Sequence, residues 1–483
     1  MKENRTLMQY FEWYLRLENK LWKKVAANAN YINSIGITDV WLPPAYKAAG
    51  GKQDAGYAAY DLYDLGEFDQ KGSIETKYGT KDEYLQAIQE LHKNNIKVYA
   101  DIVLNHKIGA DEPETVYASE EEFDDRTVDT SLPKKITAWT KYNFTSRNNK
   151  YSDFKWDYRH FNGTDWDESG RKNGIFRFSG KHWDQNVDKE NGNYDYLMGA
   201  DVDFNNPDVV EELKKWGRWY LDFTGVDGFR LDAVKHIKSD FMADWVKTMR
   251  EYKELKCVGE YWNNNLTILK SYIERTNSTI PLFDVPLHYN LYQASNSNGY
   301  YDMARIFDNT LVNEYPGLAV TFVDNHDTQP GQALESWIQE WFKPLAYALI
   351  LLRKSGLPCI FYGDYYGIQS CGISPMKNLE TLIKARKNFA YGEQIDYLDD
   401  CNIIAFVRTG DDEHQDSGLV TIMSDGPGGG KTINVGNRLA NTVFYDYTGN
   451  VKETVYVDQE GNGIFYCNGG SVSVWVKKDN IYS

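Results

Sequence analysis

Short apolar runs alternate with longer amphipathic stretches along most of the chain. The runs Thr6–Phe11, Thr38–Leu42, Lys97–Val103, Gly228–Asp232, Cys257–Glu260, Leu282–Val285, Ala319–Val323 and Pro358–Tyr362 read as eight strands. Between them apolar positions recur at helical spacing. In the clearest case Val209, Leu213, Trp216, Tyr220 and Phe223 form one stripe, which predicts a helix over 208–224. Pro207 suits the start of that helix, because a first-turn residue needs no amide donor. Strand–helix alternation repeated eight times predicts an α/β fold, a parallel (β/α)8 TIM barrel. A doubly wound open sheet is the runner-up, but no Gly-rich phosphate loop follows the first strand.

Two intervals break the rhythm. Residues 105–206 are rich in Asp, Asn, Gly, Trp and Tyr and show little helical periodicity. An insertion this long after the third strand predicts a functional lobe over the barrel mouth. After residue 396 the period changes: NIIAFVRT, GLVTIM, NTVFYDYT and SVSVWVKK alternate and are separated by Gly, Asn and Asp turns. The expected organisation is therefore barrel over 1–104 and 207–396, inserted lobe over 105–206, and a C-terminal antiparallel β-sandwich domain over 397–483.

Composition narrows the function. The chain has 483 residues, 42% of them hydrophobic, enough for a large core. Its formal net charge of −17 would repel phosphate backbones, so nucleic acid is not an expected partner. The longest apolar run, LAYALILL at 345–352, is too short to span a bilayer, so no membrane partner is expected. Aromatic residues reach 15%, and exposed rings can stack on sugar faces. The five cysteines have no metal-like spacing, and Cys257 and Cys359 lie in apolar strands as buried thiols. With no apolar leader in MKENRTLMQYF, a cytoplasmic protein is expected, a secreted mature form with an added Met being the alternative. A monomer is expected.

The candidate chemistry lies at strand ends. Asp232 closes GFRLD, Glu260 closes CVGE, and Asp327 follows AVTFVDNH. A lone acid there commonly caps the next helix. Three acids on three strands point instead to glycosidic cleavage, which needs carboxyl groups in different protonation states around one sugar carbon. Arg230 lies two residues before Asp232 and so points to the same side of the strand. Its charge would keep Asp232 ionised, as a nucleophile requires. Glu260 has a longer reach and is followed by Tyr261 and Trp262, whose walls would keep it protonated as a general acid. Asp327 is left to bind the sugar and steady the transition state. His106 and His326 each follow Asn at a strand end, in LNH and DNH.

The ordered phrases DIVLNH, GFRLDAVKH, GEYW and FVDNHD, with TLMQYFEWY near the start and GGSVSVWV near the end, resemble the α-amylase family of glycoside hydrolases, and within it the bacterial liquefying enzymes. The resemblance implies a (β/α)8 barrel acting on α-glucans. It implies nucleophile, acid/base and stabiliser roles for Asp232, Glu260 and Asp327 in a retaining double displacement, with the first two carboxyls roughly 5–5.5 Å apart. It implies that His106 and His326 donate to sugar hydroxyls and that Tyr57, in GYAAYDLYD, stacks on a sugar. Trp13, Trp262, Lys235 and Gln332 are candidates for neighbouring subsites.

The resemblance also implies a Ca2+ ion held by Asn105, Asp195, Asp201 and the His236 carbonyl, a hard-oxygen set that suits calcium. Such an ion would tie the lobe to the barrel beside His106. Asp184 and Asp203 match a further metal cluster of liquefying members, but Asn162 and Asn205 stand where that pattern has acids. Near the last domain Asn402 replaces an expected Asp, while Asp446 remains. One calcium is therefore expected.

The leading expectation is endo-acting hydrolysis of α-1,4-glucosidic bonds in starch or glycogen, releasing malto-oligosaccharides. The alternatives are a non-catalytic carbohydrate-binding member of the fold, and a transglycosylase or α-1,6-acting relative. Retention of Arg230 and all three acids disfavours the first.

Overall fold

The computed structural model describes residues 4–478; residues 1–3 and 479–483, at the outer ends of the expected first barrel segment and C-terminal domain, lie outside the described residues. Eight parallel strands close into a barrel: Leu7–Gln9, Asp39–Leu42, Lys97–Ile102, Gly228–Leu231, Lys256–Gly259, Leu282–Phe283, Ala319–Phe322 and Leu357–Phe361. Each falls within or one residue outside an expected run. Closure is made by the first strand, where Leu7 pairs with Asp39 on one side and Cys359 on the other.

Helices wrap the outside for the reason the periodicity gave. Helix Pro207–Thr224 buries Val209, Leu213, Trp216 and Tyr220. The Asn206 side chain accepts from the Asp208 amide, Pro207 occupies the first turn, and Gly225 ends the helix at φ 77°. An N-cap of this kind contributes about 1 kcal/mol. Among the described residues no helix is long and apolar enough to cross a membrane.

Between the third and fourth barrel strands lies a six-stranded antiparallel sheet, in the order His106–Lys107, Ala200–Val202, Phe161–Asp167, Lys172–Phe178, Glu112–Glu121 and Lys134–Lys141. Its first and second strands pair directly, Asp201 with His106. The two ends of the long excursion thus meet at the barrel rim. A shorter excursion after the second barrel strand holds the hairpin Lys47–Ala48 and Ala59–Asp61 and carries Tyr57. The sequence pattern did not separate it from a plain loop.

Beyond the barrel, antiparallel strands from Gln394–Tyr397 to Ser471–Lys477 form a six-stranded and a two-stranded sheet. They enclose their own core around Ile422, Phe444, Phe465 and Trp475.

Candidate active site

Three of the carboxylates at the barrel mouth converge on one guanidinium. Arg230 is fully buried; its Nη1 lies 2.5 Å from Asp232 Oδ1 and 2.8 Å from Asp101 Oδ1, and its Nη2 lies 2.8 Å from Glu260 Oε2. Strand register makes this possible, because Arg230 lies opposite Asp101 on one neighbour and Val258 on the other. Alternation then turns Arg230 and Asp232 to the same face. Just past Asp232 the chain turns sharply, with Ala233 at φ 48°. A left-handed non-glycine residue costs about 1 kcal/mol or more. Here that turn aims the Ala233 amide at Glu260 Oε2, 3.1 Å away.

The electrostatics differ from the sequence expectation. Burial pushes Asp232 up to about 7; Arg230 pulls it down, but the Glu260 and Asp101 charges push it up again. Asp101 is raised by burial against the pull of Arg230, and Asp327 is raised well above its usual range by burial and by the Glu260 charge. Arg230 is thus not the private counter-ion of Asp232. One fixed cation serves four acids, so the group retains shared protons near neutrality. A site that must hold one acid and one ionised carboxylate together has what it needs. Tyr261 does not wall Glu260 as expected: it is buried elsewhere, its hydroxyl donating to Asp188 at 2.8 Å. Trp262 is half-buried beside His288, Tyr289 and Phe322.

Opposite the acids the rings form a platform. Tyr57 stacks on His326 at 5.1 Å and on Trp13 at 5.7 Å, nearly parallel to both. The Tyr57 hydroxyl donates to Asp101 at 2.8 Å. The Gln9 amide donates to His326 Nδ1 at 2.9 Å, which leaves the proton on Nε2, 3.3 Å from Asp327 Oδ2. Burial and Arg230 hold His326 well below its usual pKa, so it is a neutral donor at the cleft. His106 is also kept neutral by burial. Its Nε2 donates to the Tyr57 carbonyl at 2.9 Å, and its buried Nδ1 has no partner among the described residues. In this geometry His106 braces Tyr57 rather than presenting a donor to a sugar. Gln332 lies next to the Trp13 segment, bonded to the Tyr14 hydroxyl at 2.9 Å. Lys235 spans lobe and barrel, with Nζ 2.9 Å from Glu190 and 3.2 Å from the Trp262 carbonyl.

The expected metal residues also come together. Asn105, Asp195 and Asp201 are buried where the first and second strands of the inserted sheet pair. Both polar atoms of the Asn105 side chain and Asp195 Oδ1 have no hydrogen-bond partner among the described residues. Asp195 and Asp201 are each driven far upward, first by burial and then by neighbouring carboxylates. Among the described residues no three His, Cys, Asp or Glu side chains form a preformed metal cage. What the site offers is a mixed set of hard oxygens, which fits calcium rather than a softer ion. His236 is neutral and turns its ring nitrogen to the Tyr194 carbonyl at 2.7 Å, so its imidazole takes no part in that set.

The outer expected ligands are engaged otherwise. Asp203 accepts from Lys181 at 2.5 Å and from the Asn205 amide at 2.9 Å. Asp184 accepts from the Asn205 side chain, which in turn accepts from Lys238 at 2.7 Å. Asp446 caps a turn, accepting the amides of Thr448, Asn450, Val451 and Val474. Asn402 is committed to the Pro427 carbonyl, the Gly426 amide and the Ser424 hydroxyl.

Two sets of residues escaped the sequence reading. Asp101 lies inside VYADIVLNH, and a charge within an apolar strand was its signal. The second set lies below Asp327: Lys343 reaches Asp324 at 3.0 Å and also bonds Asp364. Asp324 accepts from Thr328 Oγ1 at 2.9 Å, and Thr328 Oγ1 accepts from the Asn325 amide at 2.9 Å. Asn325 Oδ1 accepts the Asp327 amide at 2.8 Å. This buried relay fixes the turn that presents Asp327, yet its members are scattered over 40 residues of sequence.

Comparison with known proteins places this geometry. A family described as "Alpha amylase, catalytic domain" matches residues 22–394, and one described as "Alpha-amylase C-terminal" matches residues 419–476. The α-amylase of Geobacillus stearothermophilus is 54% identical over 99% of this chain and 88% of its own length. A protein of Escherichia coli named "Cytoplasmic alpha-amylase" is 46% identical over 99% of this chain and its whole length. Among solved structures, an Anoxybacillus α-amylase shares the fold, with a TM-score of 0.64 at 17% identity over 98% of this chain and 97% of its own.

Proposed function

This chain belongs to the α-amylase family of glycoside hydrolases, and from that membership we propose how its own residues cleave an α-glucan. It hydrolyses α-1,4-glucosidic bonds within starch, glycogen and related chains, releasing malto-oligosaccharides. The observation that carries the mechanism is the sharing of Arg230 by Asp232 and Glu260.

In the proposed sequence a sugar ring lies on Tyr57, with its anomeric carbon over Asp232. Glu260 donates its proton to the glycosidic oxygen as Asp232 attacks, giving a glycosyl ester and a free leaving chain. Glu260, now ionised, takes a proton from water, and that water releases the sugar with its configuration retained. Arg230 stays bonded to both carboxylates throughout, so charge can pass between them without an uncompensated buried ion. Asp327 and the Nε2 proton of His326 hold the ring hydroxyls while positive charge develops. Lys235, Trp262, Trp13 and Gln332 line the neighbouring chain.

Calcium is part of the proposal: Asn105, Asp195, Asp201 and the His236 carbonyl would hold it, Asp184 bordering the set and Asp203 left to Lys181. When bound, the ion supplies the positive charge that two buried carboxylates require, and it ties the lobe to the strand end that carries His106. A cytoplasmic location is supported by the printed name of the E. coli relative and by five free cysteines, Cys371 and Cys401 of them exposed. A monomer is the proposed state.

The test follows iodine colour and reducing ends together on soluble starch with calcium, beside Asp232→Asn. Rapid colour loss with few new ends, reduced on the order of 10⁴-fold or more in the variant, is expected. Cleavage that persists in the variant would remove Asp232 as nucleophile.

A further inference from the structure

The inserted lobe meets the barrel at a second place, apart from the paired strands His106–Lys107 and Ala200–Val202. Its residues 186–194 bond to the loops that follow the fourth and fifth barrel strands. The Asn186 carbonyl accepts the Ser239 amide at 3.2 Å, and the Asp188 amide donates to the Lys235 carbonyl at 2.9 Å. Asp188 is the buried centre of this contact. Its Oδ2 accepts from the Tyr261 hydroxyl at 2.8 Å and from the Asn263 side chain at 3.2 Å, and its Oδ1 accepts the Glu190 amide at 2.8 Å. The reaction proposed above does not use Asp188, yet its partner Tyr261 directly follows Glu260.

The bonds of Glu260 itself fix only one of its oxygens. Oε2 accepts from Arg230 at 2.8 Å and from the Ala233 amide at 3.1 Å. An oxygen that already holds two N–H donors is not the one to carry the proton, so the acid proton sits on Oε1. Where Oε1 points depends on how the residue is turned about that grip. The fifth strand ends at Gly259, and beyond it the peptide joining Glu260 to Tyr261 is held at its carbonyl by the Val234 amide, 3.0 Å away. Its tilt about that bond is set by the Tyr261 side chain. That ring is buried, 5.0 Å from Tyr272, and its hydroxyl ends on Asp188. The peptide is planar, and the two side chains leave it on opposite faces. If Tyr261 is free to turn, the Glu260 carboxyl turns with it.

We propose that Asp188 is a positioning residue for the acid Glu260: it anchors Tyr261 and, through the shared peptide, aims the Oε1 proton at the departing oxygen. The lobe thereby takes part in the protonation step. The inference rests on the hydrolase reading above. It has a consequence that a plain anchor between lobe and barrel would not have. A sugar leaves as a poor anion and must be protonated, so its departure depends on the aim of the acid. A dinitrophenolate is stable as an anion and departs without a proton.

The test compares kcat/KM on amylose with kcat/KM on dinitrophenyl maltotrioside. Tyr261→Phe removes the hydroxyl and keeps the ring, and Asp188→Ala removes the acceptor from the other side, so one variant remains informative if the other does not fold. In each folded variant, checked by melting temperature, the amylose value should fall about 10- to 100-fold, part of the about 10²–10⁴-fold that a well-placed acid supplies. The dinitrophenyl value should fall by less than about two-fold. The double variant should fall no further than the weaker single one, because both break one contact. Equal falls on the two substrates, or no fall on amylose, in both variants would leave Asp188 a structural anchor and overturn the inference. Glu260→Gln is the control and should show the same selectivity more strongly. If it loses both substrates equally, or the unsubstituted protein cleaves neither, the acid role of Glu260 is removed and this inference with it.

Discussion

Two clusters of buried acids stand at the same rim of the barrel and meet the same electrostatic problem in different ways. At the mouth, Asp101, Asp232 and Glu260 surround Arg230, a cation built into the fourth strand. At the base of the lobe, Asp195 and Asp201 press on each other and on Asp184 with only the neutral Asn162 amide donating to both, while Lys181 and Lys238 are spent on Asp203 and Asn205. Burying a carboxylate without a partner costs several kcal/mol. The first cluster carries its own compensation, which in the proposed mechanism stays in place while charge moves between Asp232 and Glu260. The second has no lysine or arginine bonded to Asp195 or Asp201 among the described residues, and the proposed calcium would supply that charge.

The comparison can be broken most severely at Arg230. Arg230→Met leaves the mouth acids as uncompensated as those of the lobe. Turnover on starch should fall by about 10²–10³-fold, and urea unfolding should show a loss of about 3–5 kcal/mol. A variant that keeps wild-type stability would show that the guanidinium is not the counter-charge described.

Removal of divalent ions is the next largest perturbation. Chelation should lower the melting temperature and activity together, corresponding to about 3 kcal/mol when calcium had stood at a hundred times its dissociation constant. Asp195→Asn combined with Asp201→Asn takes away the charges the ion would balance, so scanning calorimetry of that variant should show little response to chelator. Equal responses in both proteins would sink the assignment.

A smaller effect sharpens the mouth cluster through pH. The unfolded chain releases the Asp232 proton near 3.8, whereas the folded site holds it up to about 7. Between those values this group favours the folded state less with every step upward in pH. Asp232 must also be ionised to attack, so kcat/KM should fall as the pH drops below about 7, approaching ten-fold per unit. The smallest change is expected away from both clusters. Lys247 and Glu251 face each other at 3.8 Å and are mostly exposed, so Lys247→Gln should move stability by less than about 0.5 kcal/mol.

These contrasts mark what the sequence could and could not convey. All eight barrel strands were legible because each is a buried apolar run with turn residues at its ends. The acids were legible because each ended such a run in a phrase shared with a known family. Partner choice was not. Arg230 was read as belonging to Asp232 because local spacing shows only neighbours on one strand, whereas Asp101 and Glu260 arrive from the strands on either side. Tyr261 was assigned to Glu260 on the same local logic, but adjacent residues on an extended chain point to opposite faces. The relay from Lys343 through Asp324, Thr328 and Asn325 was hidden for a related reason: a charge in a helical pattern reads as a solvated position until the packing is known.

The closure of the barrel bears on the way the chain is made. Leu7 reaches one partner after a few dozen residues, at Asp39, but the other is Cys359. At ribosomal speeds of about 5–20 residues per second, the first strand waits for roughly half a minute with one edge unsatisfied. An open edge of that kind invites pairing with other nascent chains. The span of chain between the second and the eighth strand is therefore the length that must be made before the first strand has both of its partners.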